Sequence, residues 1–334
     1  MDSSSTSSSE PRRPPKAALL ALGLVLAGEA GIKAALPVNQ GRHPADEVTA
    51  LLDARPEPKP VVLWCDSVTA GAVEEEGGDD FVAKLGSTQA ISMAGVYYTY
   101  LRQVREAGPP KVLVLSLIPE SYGNDLDQVY NAAYFESLFM EPAEVLDFAR
   151  TTGRLGIASR MAMNGLLLPP SMKRRAAARV ALRSLRDRGG PTRAPIPLLR
   201  IAGTDPEVAA SLGDRERLRE FRMSPLAALY LGRIAGETAR TGTRLVFMTG
   251  ALPAAVARGW EGTGYLRSAG EWFAEFARSR PHVTVEPLTL FADYAPSEMY
   301  DRAHLKPGIA QAYGRRVVER LRAILDEVAR GERR

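Results

Sequence analysis

The stretch that decides the fold is PVVLWCDS, residues 60–67. It is a short apolar run, rich in β-branched side chains, that ends in two polar residues, Asp66 and Ser67. Two later stretches repeat this pattern, KVLVLSLIP (111–119) and TRLVFMTGALP (243–253). Runs of this kind are typical of strands that are buried on both faces of a parallel sheet. We therefore predict that these three stretches are strands of one such sheet.

Helical patterns alternate with the strand patterns. The predicted helices are VYYTYLRQVREAG (96–108), SPLAALYLGRIAGETARTG (224–242), YLRSAGEWFAEFARS (265–279) and PGIAQAYGRRVVERLRAILDEVA (307–329). A weaker strand is predicted at TQAISMAG (88–95) and a last strand at HVTVEPLTLF (282–291). This alternation predicts an α/β fold with a doubly wound parallel sheet and right-handed crossovers. Such sheets bind their ligands outside the carboxyl ends of the strands.

One block interrupts the alternation. Residues 131–222 contain no convincing strand, so we predict a mostly helical insertion between the third and fourth strands. Inside it, Arg175, Arg179 and Arg183 recur at helical spacing on one face. A solvated cationic face is the first interpretation of this spacing, and contact with anionic lipid headgroups is the second.

Composition narrows the class of protein. Hydrophobic residues make up 45% of the 334 residues and charged residues 25%, which excludes wholesale disorder and a multi-spanning membrane protein. The formal net charge of +4 is too small to indicate a nucleic-acid partner. A single cysteine, Cys65, excludes an internal disulfide, and three histidines leave little material for a metal site. We predict no cofactor, no metal and no nucleic-acid partner.

The amino-terminal region has three parts. Residues 1–16 form a polar and then cationic tail, 17–36 an apolar stretch, and 37–58 a proline-rich linker. The apolar stretch is just long enough to span a bilayer if its charged residues Glu29 and Lys33 are tolerated, and the cations before it favour export of the chain that follows. An uncleaved signal anchor is our first interpretation, ahead of a cleaved signal peptide and an amphipathic soluble helix. We therefore expect a membrane-anchored domain at 59–330 on the extracytoplasmic side, or a secreted one after cleavage.

Two distant loops carry the residues of a possible catalytic site. Ser67 follows the first predicted strand, at a turn that exposes a hydroxyl group. A serine hydroxyl becomes nucleophilic only when a neighbouring base removes its proton. Asp301 and His304 lie between the last strand and the closing helix, where the carboxylate can orient the imidazole towards Ser67.

The combination of DSVTAG (66–71) and DRAHLKPGIAQAYG (301–314) resembles the SGNH, or GDSL, hydrolase superfamily. The resemblance implies a flavodoxin-like sheet, Ser67 as nucleophile, and Asp301 and His304 as its partners. It also implies three oxyanion donors. These are the backbone N–H groups of Ser67 and Gly95 and the side chain of Asn124. The chain has Cys65 where the family usually has glycine, and its Gly–Asn pair is contiguous rather than separated by one residue.

The resemblance and the anchor together imply a serine-dependent ester hydrolase or O-acyltransferase. Membrane-tethered members of the superfamily move acyl groups on cell-envelope polymers, so the expected substrate is an envelope ester or polysaccharide. The alternative is a catalytically weak SGNH-like exported domain that binds glycan or scaffolds an envelope complex. A nucleotide-binding protein is disfavoured because no glycine-rich phosphate loop follows a strand.

Four further residues near these motifs have ordinary roles in our interpretation. Cys65 is expected to be a small buried strand residue, because neither neighbour supplies the electropositive setting that a reactive thiol needs. Asp66 is expected to cap the turn that follows the first strand. Tyr97 and Tyr98 are expected to contribute to packing or to the wall of a pocket.

Overall fold

The structure is a computed structural model that describes residues 59–66, 69, 72–73, 80–85, 92–123, 141–159, 217–300 and 304–331. The strands are β1 (Val61–Cys65), β2 (Val82–Lys84), β3 (Val112–Ser116), β4 (Arg244–Met248) and β5 (Val283–Val285). The helices are α1 (Met93–Ala107), α2 (Pro142–Thr152), α3 (Pro225–Thr241), α4 (Ala254–Thr263), α5 (Tyr265–Arg278) and α6 (Pro307–Gly331). Short 3₁₀ turns occur at Pro119–Gly123 and Pro296–Glu298.

The five strands form one parallel sheet in the order β2-β1-β3-β4-β5. The register places Cys65, Ser116 and Met248 side by side, so the three central strands end at the same level. The predicted α/β class and its parallel sheet are therefore confirmed.

The central strands are buried along their whole length. Every residue of β1 and β3 is at most 3% exposed, although successive side chains of a strand point to opposite faces of the sheet. Both faces are therefore covered, and this is why the strand sequences are continuously apolar instead of alternating with polar residues.

The four helices predicted from periodicity are present, and local sequence sets their limits. Ser92 precedes α1 and Ser224 precedes α3, where the Ser224 hydroxyl accepts a hydrogen bond from the backbone N–H of Ala227 at 3.2 Å. The same two helices are followed by Gly108 and Gly242, both with positive φ.

The weaker predicted strand at 88–95 is wrong at its described end. Ser92 is the N-cap of α1, and Met93 to Gly95 form the first turn of that helix. The second strand lies earlier, at Val82–Lys84, where Leu85 N–H donates to Leu63 O at 2.9 Å. A three-residue edge strand is defined by its pairing with β1, and it is too short to show a period in the sequence.

Aromatic contacts join the helices to the sheet. The ring of Phe273 on α5 lies 5.0 Å from those of Phe247 on β4 and Tyr122 after β3. Tyr98 on α1 lies 5.7 Å from Tyr230 on α3 in an edge arrangement. These pairs bury large apolar surfaces at the centre of the fold, and Tyr98 has the packing role expected of it.

Ion pairs hold α2, a helix within the predicted 131–222 insertion, against α1 and α3. Arg102 and Glu144 form a buried pair with an Nε to Oε1 distance of 2.8 Å. Asp147 accepts hydrogen bonds from Tyr98 at 2.7 Å and from Arg233 at 2.8 Å. Helix α2 therefore packs on the core, whereas residues 131–140 and 160–216, with Arg175, Arg179 and Arg183, lie outside the described residues.

The predicted tail, anchor and linker, residues 1–16, 17–36 and 37–58, also lie outside the described residues. Among the helices that the structure does describe, none is both long enough and apolar enough to span a bilayer.

Candidate active site at the carboxyl end of the sheet

The side chain of Asp66 forms a hydrogen bond across the turn that follows β1. Its Oδ1 atom accepts a hydrogen bond from the backbone N–H of Thr69 at 2.9 Å. Its own N–H donates to Ser116 O, at the end of the neighbouring strand β3, at 3.3 Å. Asp66 therefore caps the turn as the sequence predicted, and it ties the segment to the sheet. Ser67, which this segment contains, lies outside the described residues.

A buried hydrogen bond joins this segment to the last helix. The hydroxyl oxygens of Thr69 and Tyr313 are 2.7 Å apart, and both residues are fully buried. Burial, and then the nearby charge of Asp66, raise the pKa of Tyr313 well above its ordinary value, so its hydroxyl is neutral. Thr69, two residues after Ser67, is therefore held against α6.

His304 lies immediately before α6 and is half-buried. Its carbonyl oxygen accepts a hydrogen bond from Tyr300 N–H at 2.7 Å, and the buried residues Met299 and Leu305 form an antiparallel bridge. Both ends of the loop at 299–305 are thus fixed by backbone pairing. Asp301 lies between them, outside the described residues.

The His304 loop and the start of α6 belong to the carboxyl end of the sheet. Tyr294, in the segment after β5, bridges Pro253 in the segment after β4. The ring of Tyr294 also lies 6.0 Å from that of Tyr313. Tyr313 is the seventh residue of α6, so it lies only about 9 Å along the helix axis from Pro307. The structure therefore brings the residues next to Ser67 and the helix that follows His304 to one end of the sheet.

Of the two remaining predicted oxyanion donors, Gly95 is among the described residues and Asn124 is not. Gly95 lies in the buried first turn of α1, and its N–H points to Ser92 Oγ at a distance of 3.5 Å. Asn124 directly follows the 3₁₀ turn that ends at Gly123, and it lies outside the described residues. Both assignments stay predictions.

Two residues near Asp66, Gly250 and Tyr122, carry no signal in the sequence. A Cβ atom on Gly250, just after β4, would lie 2.4 Å from Asp66 Oδ2. Tyr122, after β3, is buried, and burial together with the charge of Asp66 raises the pKa of its hydroxyl. No local pattern distinguishes either residue, because a glycine or a tyrosine in the loop after a strand is common.

Cys65 is not a second nucleophile. Its side chain is 3% exposed, and burial, followed by the charge of Asp66, raises the pKa of its thiol well above the ordinary value. The thiol is therefore neutral at physiological pH, and the expectation of a small buried strand residue is confirmed.

The described residues contain no group of three or more His, Cys, Asp or Glu side chains that could hold a metal ion. A cavity of about 270 Å³ lies between α4 and the segment after β5. Its lining includes Arg258, Glu261 and Asp293, and it contains neither His304 nor a residue of the segment that follows β1.

No protein-family model matches the chain, and no curated protein matches it significantly. The fold defines an α/β protein built on one parallel five-stranded sheet. A more particular assignment depends on the motifs at 66–71 and 301–314 and on the contacts around them.

Proposed function

We propose that this chain is a serine-dependent ester hydrolase or O-acyltransferase of the SGNH type that acts on a cell-envelope ester or polysaccharide. The observation that carries the proposal is the buried hydrogen bond between Thr69 and Tyr313. Thr69 lies two residues after Ser67, and Tyr313 lies on the helix that begins three residues after His304. A nucleophile and a base can cooperate only when the fold brings their loops together, and this contact supports such an arrangement.

The strand order supports the same proposal. An order of β2-β1-β3-β4-β5 is that of flavodoxin-like doubly wound sheets. In such sheets the ligand site lies at the carboxyl ends of β1 and β3. There the chain switches from adding strands on one side of β1 to adding them on the other side. Ser67 comes two residues after the last residue of β1, which is the expected place for a group that meets the substrate.

The chemistry follows from the roles of the three residues. Ser67 Oγ attacks the ester carbonyl while His304 takes its proton, and Asp301 stabilises the imidazolium that forms. Backbone N–H groups of Ser67 and Gly95, with the Asn124 side chain, hold the oxyanion. The leaving alcohol takes the proton from His304, and an acyl-enzyme remains. Water or a sugar hydroxyl then accepts the acyl group, which makes the reaction a hydrolysis or a transfer.

The location of this activity is part of the proposal. Residues 17–36 act as a signal anchor that exports the domain and holds it at the membrane, the alternative being secretion after cleavage. Arg175, Arg179 and Arg183 form a solvated cationic face, the alternative being contact with anionic headgroups beside the anchor. The reaction uses no cofactor, and the chain has no nucleic-acid partner.

One observation favours the second candidate function, a catalytically weak SGNH-like domain that binds glycan or scaffolds an envelope complex. The N–H of Gly95 is directed to Ser92 Oγ, within the first turn of α1. A donor that is engaged in a helix cap is less available to an oxyanion, and loss of one such donor costs about 3 kcal/mol of transition-state stabilisation in other enzymes.

Labelling with a fluorophosphonate probe separates the two candidates. The full-length chain, purified in mild detergent, is expected to label covalently, and Ser67→Ala is expected to abolish labelling. Ser279→Ala is the matched control, because Ser279 is exposed at the end of α5 and outside the proposed site. Folded wild-type protein that does not label, or Ser67→Ala that labels like the wild type, contradicts the proposed activity.

A further inference from the structure

Gly250 is a buried residue of the loop after β4, and a side chain there would require the carboxylate of Asp66 to move. A Cβ atom there would lie 2.4 Å from Asp66 Oδ2 and 3.3 Å from Asp66 Cγ. The described glycines with positive φ are Gly108, Gly153, Gly242 and Gly264, so the backbone of Gly250 does not itself require glycine. The position is restricted because the carboxylate of Asp66 occupies the space of the missing side chain.

The carboxylate of Asp66 is therefore located by two separate elements. Its Oδ1 atom accepts the hydrogen bond from Thr69 N–H, and its Oδ2 atom lies against Gly250. Strand β3 lies between β1 and β4, so the loop after β4 must approach β1 over the carboxyl end of β3 to make the second contact. The position of Asp66 thus depends on the strand order as well as on the local turn.

Two buried hydroxyl groups lie within electrostatic reach of the same carboxylate. The charge of Asp66 contributes to the raised pKa of Tyr122 after β3 and of Tyr313 on α6, although burial is the larger cause in both. The contacts of Asp66 and Thr69 join the segments that follow β1 and β4 to α6. Ser67 directly follows Asp66 in the chain, so a shift of Asp66 would also shift Ser67.

We propose that Asp66 is a positioning residue for Ser67. Because Gly250 has no side chain, it leaves the space that the Asp66 carboxylate occupies. The carboxylate, held between Thr69 N–H and Gly250, fixes the start of the segment in which Ser67 lies. This inference rests on the proposed function, since Ser67 must be the nucleophile for its direction to matter. Misplacement of a reacting group by about 1 Å can cost on the order of a hundredfold in rate.

The direct test is Gly250→Ala in the full-length chain, with the kinetics of fluorophosphonate inactivation as the readout. The added methyl displaces the carboxylate and leaves Asp66 chemically unchanged. We expect the maximal inactivation rate to fall at least about tenfold, while the probe concentration for half-maximal rate stays within about twofold. A merely structural role would instead lower the melting temperature and leave the rate of the folded fraction unchanged.

Gly236→Ala is the matched control. Gly236 lies on the exposed side of α3, and a Cβ there meets no atom within 4 Å. Alanine at such a site is expected to stabilise the helix slightly and to leave the inactivation rate unchanged. A tenfold fall in this variant would show that Gly250→Ala reports a general effect, and it would overturn the proposal.

Variants of Asp66 keep the proposal falsifiable if Gly250→Ala does not fold. Asp66→Asn retains an oxygen that can accept from Thr69 N–H, so we expect it to keep the inactivation rate within about threefold of wild type. Asp66→Ala removes that acceptor and is expected to lose at least about tenfold. Adding Gly250→Ala to Asp66→Ala is expected to cause no further loss, because no carboxylate is left for the methyl to displace.

The possible failures are distinguishable. If wild-type protein labels and Gly250→Ala or Asp66→Ala labels at the same rate, the positioning role is wrong and the proposed function stands. If folded wild-type protein does not label at all, the proposed function is wrong, and the positioning role is wrong with it.

Discussion

The hydroxyl oxygens of Thr69 and Tyr313 lie 2.7 Å apart, although 244 positions separate the two residues in the chain. This hydrogen bond joins the segment after the first strand to the last helix inside the core. It is the described contact that most directly relates the two ends of the proposed catalytic site.

Tyr313→Phe is expected to lower the stability of the protein and the reactivity of Ser67 together. The variant leaves the buried Thr69 hydroxyl without its partner, which costs about 1–3 kcal/mol of unfolding free energy. We also expect slower fluorophosphonate labelling, because the segment that contains Ser67 loses one of its ties to α6. Denaturant unfolding and labelling rates measure the two effects.

Tyr100→Phe is the control for that variant. Tyr100 is an equally buried phenol, and its hydroxyl donates to Thr243 Oγ1 at 3.3 Å near the start of β4, away from the proposed site. Its loss should lower stability and leave the labelling rate unchanged. Equal labelling in Tyr313→Phe and wild type would contradict the link between this contact and the site.

Glu144→Gln is expected to destabilise the protein strongly. Glu144 pairs with Arg102 where both side chains are nearly buried, so its neutralisation removes the nearer of two carboxylates from a buried guanidinium and leaves Glu141, whose Oε1 lies 3.6 Å from Arg102 Nε. Breaking such a pair typically costs about 3–5 kcal/mol. Glu220→Gln, in the exposed pair with Arg222, should change the unfolding free energy by less than about 1 kcal/mol. Similar unfolding curves for the two variants would show that the buried pair contributes no more than an exposed one.

Asp147→Asn is expected to reduce the loss of stability in acid. Burial raises the pKa of Asp147, but hydrogen bonds from Arg233 and Tyr98 outweigh it, and the net pKa is below the ordinary value of 3.8. Since the pKa is lower in the folded state, Asp147 contributes its full stabilisation above that ordinary value and loses it as the pH falls through the folded pKa. The variant should therefore show a shallower decline in unfolding free energy below about pH 4.

Asp326→Asn, on the exposed side of α6, is the control for the acid measurement. It should reproduce the wild-type decline when unfolding is followed from pH 5 to pH 2.5 at steps of about half a unit. If the unfolding free energy of Asp147→Asn falls in acid as steeply as that of the wild type, the contribution assigned to this carboxylate is ruled out.

Cys65 is expected to be unreactive until the protein unfolds. The thiol is buried in β1, and its pKa is raised, so the thiolate that reacts with disulfide reagents is scarce in the native state. Reaction with Ellman's reagent at pH 8 should be slow for native protein and fast in guanidinium chloride. Because the chain has one cysteine, the signal comes from β1 alone, and rapid native reaction would contradict the buried placement of that strand.

The parallel sheet could be predicted because its three central strands carry their own signal. Strands that are buried on both faces must be apolar on both faces, and the runs that follow Pro60, Lys111 and Arg244 are mostly apolar. The long helices could be predicted for a similar reason, since apolar periodicity, a serine before the first turn and a glycine after the last one are local features. The edge strand β2 could not, because pairing with β1 defines three residues that have no pattern of their own.

For the site, the motifs at 66–71 and 301–314 selected Ser67, Asp301 and His304, and the cap formed by Asp66 was predictable from its place before a helical turn. The partners of these residues were not predictable. Gly250 and Tyr313 come from segments more than 180 positions away from β1, and they contact the residues after it only because the sheet places β4 one strand away from β1 and α6 packs against Thr69.

The sequence by itself therefore determined the class of fold, the principal strands and helices, and the residues on which a hydrolase hypothesis can be built. It could do so because burial, helical periodicity and end capping are imposed on neighbouring residues along the chain. Tertiary structure alone decided that Thr69 bonds Tyr313 and that the carboxylate of Asp66 fills the space beside Gly250. Those contacts depend on the order in which the strands assemble, and no short stretch of the chain encodes that order.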